Sequence, residues 1–142
     1  MSRTPSTLRV PPGAALPYGL SPGVIVTLSA APTNKMEVAR IAGWVADLRA
    51  GATIHWAPDG TLWDDIVDEA DIARWTNGGE GPGDHMTLTC WVSADDAGLL
   101  DAADLLPLLL ADHGPLLFLD IGPAAHDAEI ARLQALPDTG HA

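Results

Sequence analysis

A chain of 142 residues suits one domain, and 47% hydrophobic residues allow a buried core without disulfide or metal support. The single cysteine, Cys90, excludes an intrachain disulfide and fits a reducing, cytoplasmic setting. The net charge of −12 is uneven: residues 51–142 hold 17 acids against Arg74 and Arg132, a balance that repels nucleic acid and anionic membrane and favours a basic protein partner.

Residues 1–22 read as a disordered or loosely packed arm. Pro5, Pro11, Pro12, Pro17 and Pro22 oppose both helix and strand ladder. No stretch of the arm has the apolar core of a signal peptide, and no run in the chain approaches the ~18 apolar residues of a membrane span. Residues 23–137 read as one globular α/β domain and 138–142 as a tail.

Val24 to Leu28 is a short β-branched run, the pattern of a strand buried on both faces. Thr33 or Asn34 is placed to cap the following helix, predicted over Lys35 to Ala50. Val38, Ile41, Val45 and Leu48 form its core stripe, and Gly51 supplies a left-handed stop. Next to that stripe sits Trp44.

Thr53 to Ala57 and Thr61 to Asp64 read as two strands joined by Pro58-Asp59-Gly60, which has tight-turn chemistry. Facing Trp56 and Trp63 would support such a hairpin. Asp68 is the expected cap of a short helix reaching Trp75, and Asn77 to Gly83 is a glycine-rich loop without the lysine of a phosphate loop.

His85 to Val92 alternates cleanly, with Met86, Leu88, Cys90 and Val92 on one face. Asp95 or Asp96 caps a helix that carries Leu99, Leu100, Ala103, Leu106 and Leu110, with Pro107 inside it. Leu116 to Ile121 is another interior strand. Pro123 opens a last helix and Pro137 stops it. The order is β-α-β-β-α-β-α-β-α, a mixed α/β or α+β class: a ferredoxin-like split βαβ core with a C-terminal α-β-α extension.

No motif names a reaction, cofactor or metal. The acidic run Asp59, Asp64, Asp65, Asp68, Glu69 and Asp71 lacks the ordered spacing of a calcium loop. Together with Trp44 and Trp63 as anchors, it reads instead as a docking surface for a basic partner. The first functional expectation is thus a non-catalytic interaction module, of the inhibitor, immunity-protein or charge-mimic kind.

The second expectation is a small enzyme or ligand-binding domain. If the strands at 24–28, 86–92 and 116–121 are parallel, their C-terminal ends bring Asn34, Lys35, Asp95, Asp120 and His126 together, where open α/β sheets bind ligands. Asp120 with His126 could serve there as an acid/base pair. The third expectation is a subunit of a homo-oligomeric assembly, built on the Ala/Gly stripe beside Val38 and on the Leu-rich helix.

Overall fold

A computed structural model describes residues 5–30, 34–58, 60–76 and 87–139. Five strands form one wholly parallel sheet: β1 (Ser6–Val10), β2 (Val24–Leu28), β3 (Ala52–Trp56), β4 (Leu88–Val92) and β5 (Leu116–Ile121). Their spatial order is β1-β5-β2-β3-β4. Among the described residues there are also four helices: α1 (Lys35–Asp47), α2 (Gly60–Thr76), α3 (Asp96–His113) and α4 (Asp127–Thr139).

The mixed α/β class holds, with five strands and four helices as expected. The split βαβ core does not: an all-parallel sheet replaces the antiparallel hairpin of that plan. Alternate side chains of each strand feed two cores. Ile25, Leu117 and Leu119 pack against Val38, Ile41, Trp63 and Val67 of α1 and α2. Val26, Ile54 and Phe118 pack against Leu99, Leu106 and Leu133 of α3 and α4. Each such side chain contributes roughly 1.5–3 kcal/mol by leaving water. Covered on both faces, the central strands read as unbroken apolar runs, and all of Val24–Leu28 and Leu116–Ile121 is buried.

Two elements differ from expectation. Residues 61–64 are not a strand; they lie in α2. Pro58 and Gly60 suit a helix start as well as a turn. The deciding feature is the buried pair Trp63 and Val67, one helical turn apart and flanked by the partly buried Leu62, Ile66 and Ala70. Asp59 lies outside the described residues, and Asp68 stands within α2 instead of capping it.

The second difference is the proline-rich arm, which carries β1. Its prolines bracket the strand and do not interrupt it, so Ser6 to Val10 pair in register with Leu117 to Ile121. The rest of the arm is tied to α1. Gly13 N–H donates to Glu37 (3.0 Å), Arg40 donates to the Ala14 carbonyl (2.8 Å), and the Trp44 indole N–H donates to the Pro17 carbonyl (2.8 Å).

The caps follow local chemistry. Asn34 accepts the Glu37 N–H at 2.8 Å, and Asp95 accepts the Gly98 N–H at 2.7 Å. That amide, followed by the Ser93 hydroxyl, holds the Asp95 carboxyl below its usual range. The left-handed residue after α1 is Arg49 (φ 56°) and not Gly51. Gly51 is required for a different reason: a Cβ there would overlap the His113 ring. Pro107 is accommodated inside α3, α4 starts four residues after Pro123, and Pro137 lies within α4.

Candidate functional site at the ends of strands β2 and β5

Chain direction fixes where a site can form. The helices that follow β2 and β3 cover one face of the sheet, and those that follow β4 and β5 cover the other. β2 and β5 are neighbours, so the chain leaves their C-terminal ends in opposite directions. That divergence opens a crevice, the place where open parallel sheets bind ligands.

The two acid/base candidates meet there. Asp120, near the end of β5, and His126, just before α4, are buried, at 2% and 7% exposure. The Asp120 carboxylate accepts the His126 backbone N–H (3.0 and 3.1 Å to its two oxygens) and lies 2.7 Å from His126 Nδ1. Across the crevice, the Ala30 N–H donates to His126 Nε2 at 3.1 Å. Since that amide can only donate, Nε2 must be unprotonated. Nδ1 therefore carries the hydrogen and donates to Asp120.

The pair thus acts as a latch that stitches the loop after β2 to the loop after β5. It is not a free base, because the nitrogen that would take a substrate proton is already occupied. Trp56 closes one side, its ring edge-on to His126 with centroids 5.9 Å apart. The Trp56 indole N–H donates to the Asp95 carbonyl (3.0 Å), so Asp95 does join this neighbourhood, through its backbone.

Arg9 was not legible as a site residue. A lone arginine in a proline-rich arm gives no signal. Pairing of β1 with β5 sets it beside Asp120, where it donates to the carbonyls of Asp120 (2.8 Å) and Gly122 (2.6 Å), with Nε 4.0 Å from the Asp120 carboxylate.

Asn34 and Lys35 sit on the other side of the crevice, at the start of α1. Between them and the end of β5 lies a cavity of about 260 Å³. Val10, Ile121 and Pro123 supply apolar wall, and Asn34, Glu37 and Gly122 supply polar groups. Among the described residues Glu37 is the only charged one of that wall. Arg40 binds it through two nitrogens (2.9 and 2.8 Å), and Arg40 followed by the Gly13 amide holds its carboxyl below the usual range. The cavity wall is therefore close to neutral.

The expected docking residues fare differently. Trp63 is fully buried under α2 and Trp44 is buried at the arm, so neither is presented to a partner. Asp68 turns inward to the Thr89 hydroxyl (3.3 Å), and one carboxylate oxygen of Asp64 is buried without a hydrogen-bond partner. Asp65 and Glu69 remain exposed on α2. Asp59 and the side chain of Asp71 lie outside the described residues. Among the described residues no His, Cys, Asp or Glu cluster is arranged to hold a metal, and no helix is long and apolar enough to cross a membrane. The Cys90 thiol is pushed up by burial and then by Asp64, which keeps it a poor nucleophile.

No protein-family model matches the chain, and neither a curated protein nor a solved structure matches it significantly.

Proposed function

We propose that this chain is a non-catalytic ligand-binding domain that takes a small, uncharged, hydrogen-bonding molecule in the crevice between the end of β5 and the start of α1. The observation that supports this reading is the cavity of about 260 Å³ beside the point where the chain diverges from β2 and β5. Its mixed apolar and polar wall suits a molecule of metabolite size. Its one carboxylate is neutralised by Arg40, so it gives no strong preference for either charge. A dinucleotide is a poor fit. The loop after β2, Ser29-Ala-Ala-Pro-Thr-Asn34, has no glycine to let phosphate approach the backbone, and Glu37 stands in the first turn of α1.

The test is an amide-resolved NMR screen against polyols, nucleosides, amides and amino acids. Shifts centred on Gly13, Asn34 and Gly122, lost in an Ile121→Trp variant that fills the cavity, are the expected outcome. Hits that map elsewhere, or unaffected by that variant, would count against the site.

A second reading keeps the basic partner and moves its surface. On α3, Leu100 and Leu108 are largely exposed while Asp101, Asp104 and Asp112 are exposed around them. An apolar pair ringed by acids suits a basic, amphipathic segment of another protein. This reading expects a basic protein captured by the wild-type chain at low salt and released at high salt. The same protein should be lost from a Leu100→Ser/Leu108→Ser bait; equal capture by both baits would remove α3 from consideration.

A further inference from the structure

The two edges of the sheet are built differently. β1 is bracketed by Pro5 on one side and Pro11 and Pro12 on the other, and it carries Arg9. Prolines and charges at an edge are the usual means of stopping one sheet from adding to another. β4, Leu88-Thr-Cys-Trp-Val92, has neither a proline nor a charge. It pairs with β3 alone, and among the described residues no strand lies on its outer side.

The surfaces that flank this edge are apolar. Trp91 (51% exposed) projects on the α1/α2 side, since its register partner His55 lies there, and a Cβ at Gly60, the start of α2, would meet it. Leu88 (52% exposed) projects on the opposite side. Ile72 is also exposed, one helical turn along α2 from Asp68, which bonds to Thr89 of the same strand. Trp91 is exposed, whereas Trp44, Trp56 and Trp63 are buried.

From this we infer that β4 is a self-association edge, where two copies pair β4 with β4 antiparallel about a two-fold axis to form one continuous ten-stranded sheet. A second copy is the occupant that fits, for three reasons. An open strand edge offers alternate N–H and C=O groups whose complement is another such edge. An antiparallel pair of identical strands is self-complementary about a two-fold axis, the commonest symmetry of soluble oligomers. And a chain of charge −12 approaches its own copy most readily where acids are sparse, and β4 itself carries none. Among the described residues, exposed acids flank this edge: Asp65 and Glu69 on α2, and Asp95 and Asp96 just past Val92, which would form a like-charged rim. This assembly uses neither of the surfaces first expected for it, the Ala/Gly stripe of α1 and the Leu-rich α3.

The rim sets the salt dependence. Association through backbone and apolar contacts across like-charged rims tightens as salt rises, the reverse of docking to a basic partner. Sedimentation velocity on the full chain, with protein raised to on the order of 0.1 mM, is expected to show a monomer–dimer equilibrium that shifts toward dimer with added salt. A Leu88→Lys/Trp91→Lys double variant is expected to stay monomeric with an unchanged circular dichroism spectrum. Should the double variant fail to fold, Leu88→Lys alone carries the test, because Leu88 is half in water already. Hydrogen exchange is expected to slow at alternate amides of β4 as wild-type concentration rises. A wild-type chain that remains monomeric at that concentration overturns the inference, as does a dimer that survives the lysine substitutions or leaves β4 exchange unchanged.

Discussion

Lowering the pH from about 7 to about 4.5 is expected to cost the wild-type chain about 3 kcal/mol more unfolding free energy than it costs a His55→Gln variant. His55 lies on β3 beneath α2, completely buried, with its ring stacked on Trp63 at a centroid distance of 5.7 Å. Its Nε2 meets the Thr53 hydroxyl at 3.0 Å, while Nδ1 has no hydrogen-bond partner. A lone pair tolerates that isolation better than an N–H, so the neutral ring carries its hydrogen on Nε2. Protonation would put a second, unsatisfied N–H and a full charge into a fully buried site, and burial accordingly pushes the pKa down from 6.5 to about 3.

The sign follows from where each state binds its proton. The unfolded chain protonates this imidazole near pH 6.5 and the folded chain only near pH 3, so between those values the unfolded state holds more protons. Stability contributed by neutral His55 is fully present above pH 6.5 and drains away as pH falls toward 3, by a total on the order of 5 kcal/mol. Glu37 and Asp95, whose carboxyls sit below their usual range, lose their contributions only at lower pH, from about their ordinary values downward. The interval from about pH 6.5 to about pH 4.5 therefore isolates the histidine from these two. Urea unfolding of both chains at the two pH values is the measurement. Parallel losses in wild type and variant would mean that His55 is solvated before the chain unfolds.

The parts of the fold that were legible are those whose local signal and tertiary role agree. Val24 to Leu28 and Leu116 to Ile121 are unbroken apolar runs because both faces of the sheet are covered, and Asn34 and Asp95 cap helices where their side chains can reach free amides. The strand-end gathering of Asp120, His126 and Asp95 followed from parallel strands alone. What failed is what depends on distant contacts. Pro58 and Gly60 carry the same chemistry whether a turn or a helix follows, and only the sheet beneath Trp63 and Val67 decides between them. β1 is held by its partner β5, since nothing in Ser-Thr-Leu-Arg-Val between prolines makes a strand by itself. Arg9 enters the site through that pairing. By sequence Trp63, an aromatic residue near acids, suits an interface, yet in a helix its position points into the core.

Asp120→Asn is expected to destabilise the chain by about 2–3 kcal/mol and to release the Ala30 amide, although it changes a single atom type in an unaltered shape. The wild-type latch has one consistent hydrogen arrangement. Ala30 N–H points at Nε2, so Nδ1–H points at the carboxylate, which also takes the His126 backbone N–H. An asparagine can still accept that backbone N–H through its oxygen, but its amide nitrogen then faces Nδ1, and two donors meet. Shifting the ring hydrogen to Nε2 relieves that conflict only by moving it to Ala30, where N–H would face N–H. Turning the amide over lets its oxygen, in the Oδ1 place, accept both the backbone N–H and Nδ1–H, but sets the amide nitrogen in the Oδ2 place, 3.1 Å from the His126 backbone nitrogen, donor against donor. Each arrangement leaves one buried donor unpaired, and each also removes the negative charge beside Arg9. Asp120→Ala, which removes every acceptor at once, is expected to cost more, about 3–5 kcal/mol. Chemical unfolding gives the stabilities. Amide exchange at Ala30, expected to accelerate at least about tenfold in Asp120→Asn, tells a broken latch from a general loss of packing. A variant with near-wild-type stability and an Ala30 amide that exchanges as slowly as before would show that the pair is not what joins the loop after β2 to the loop after β5.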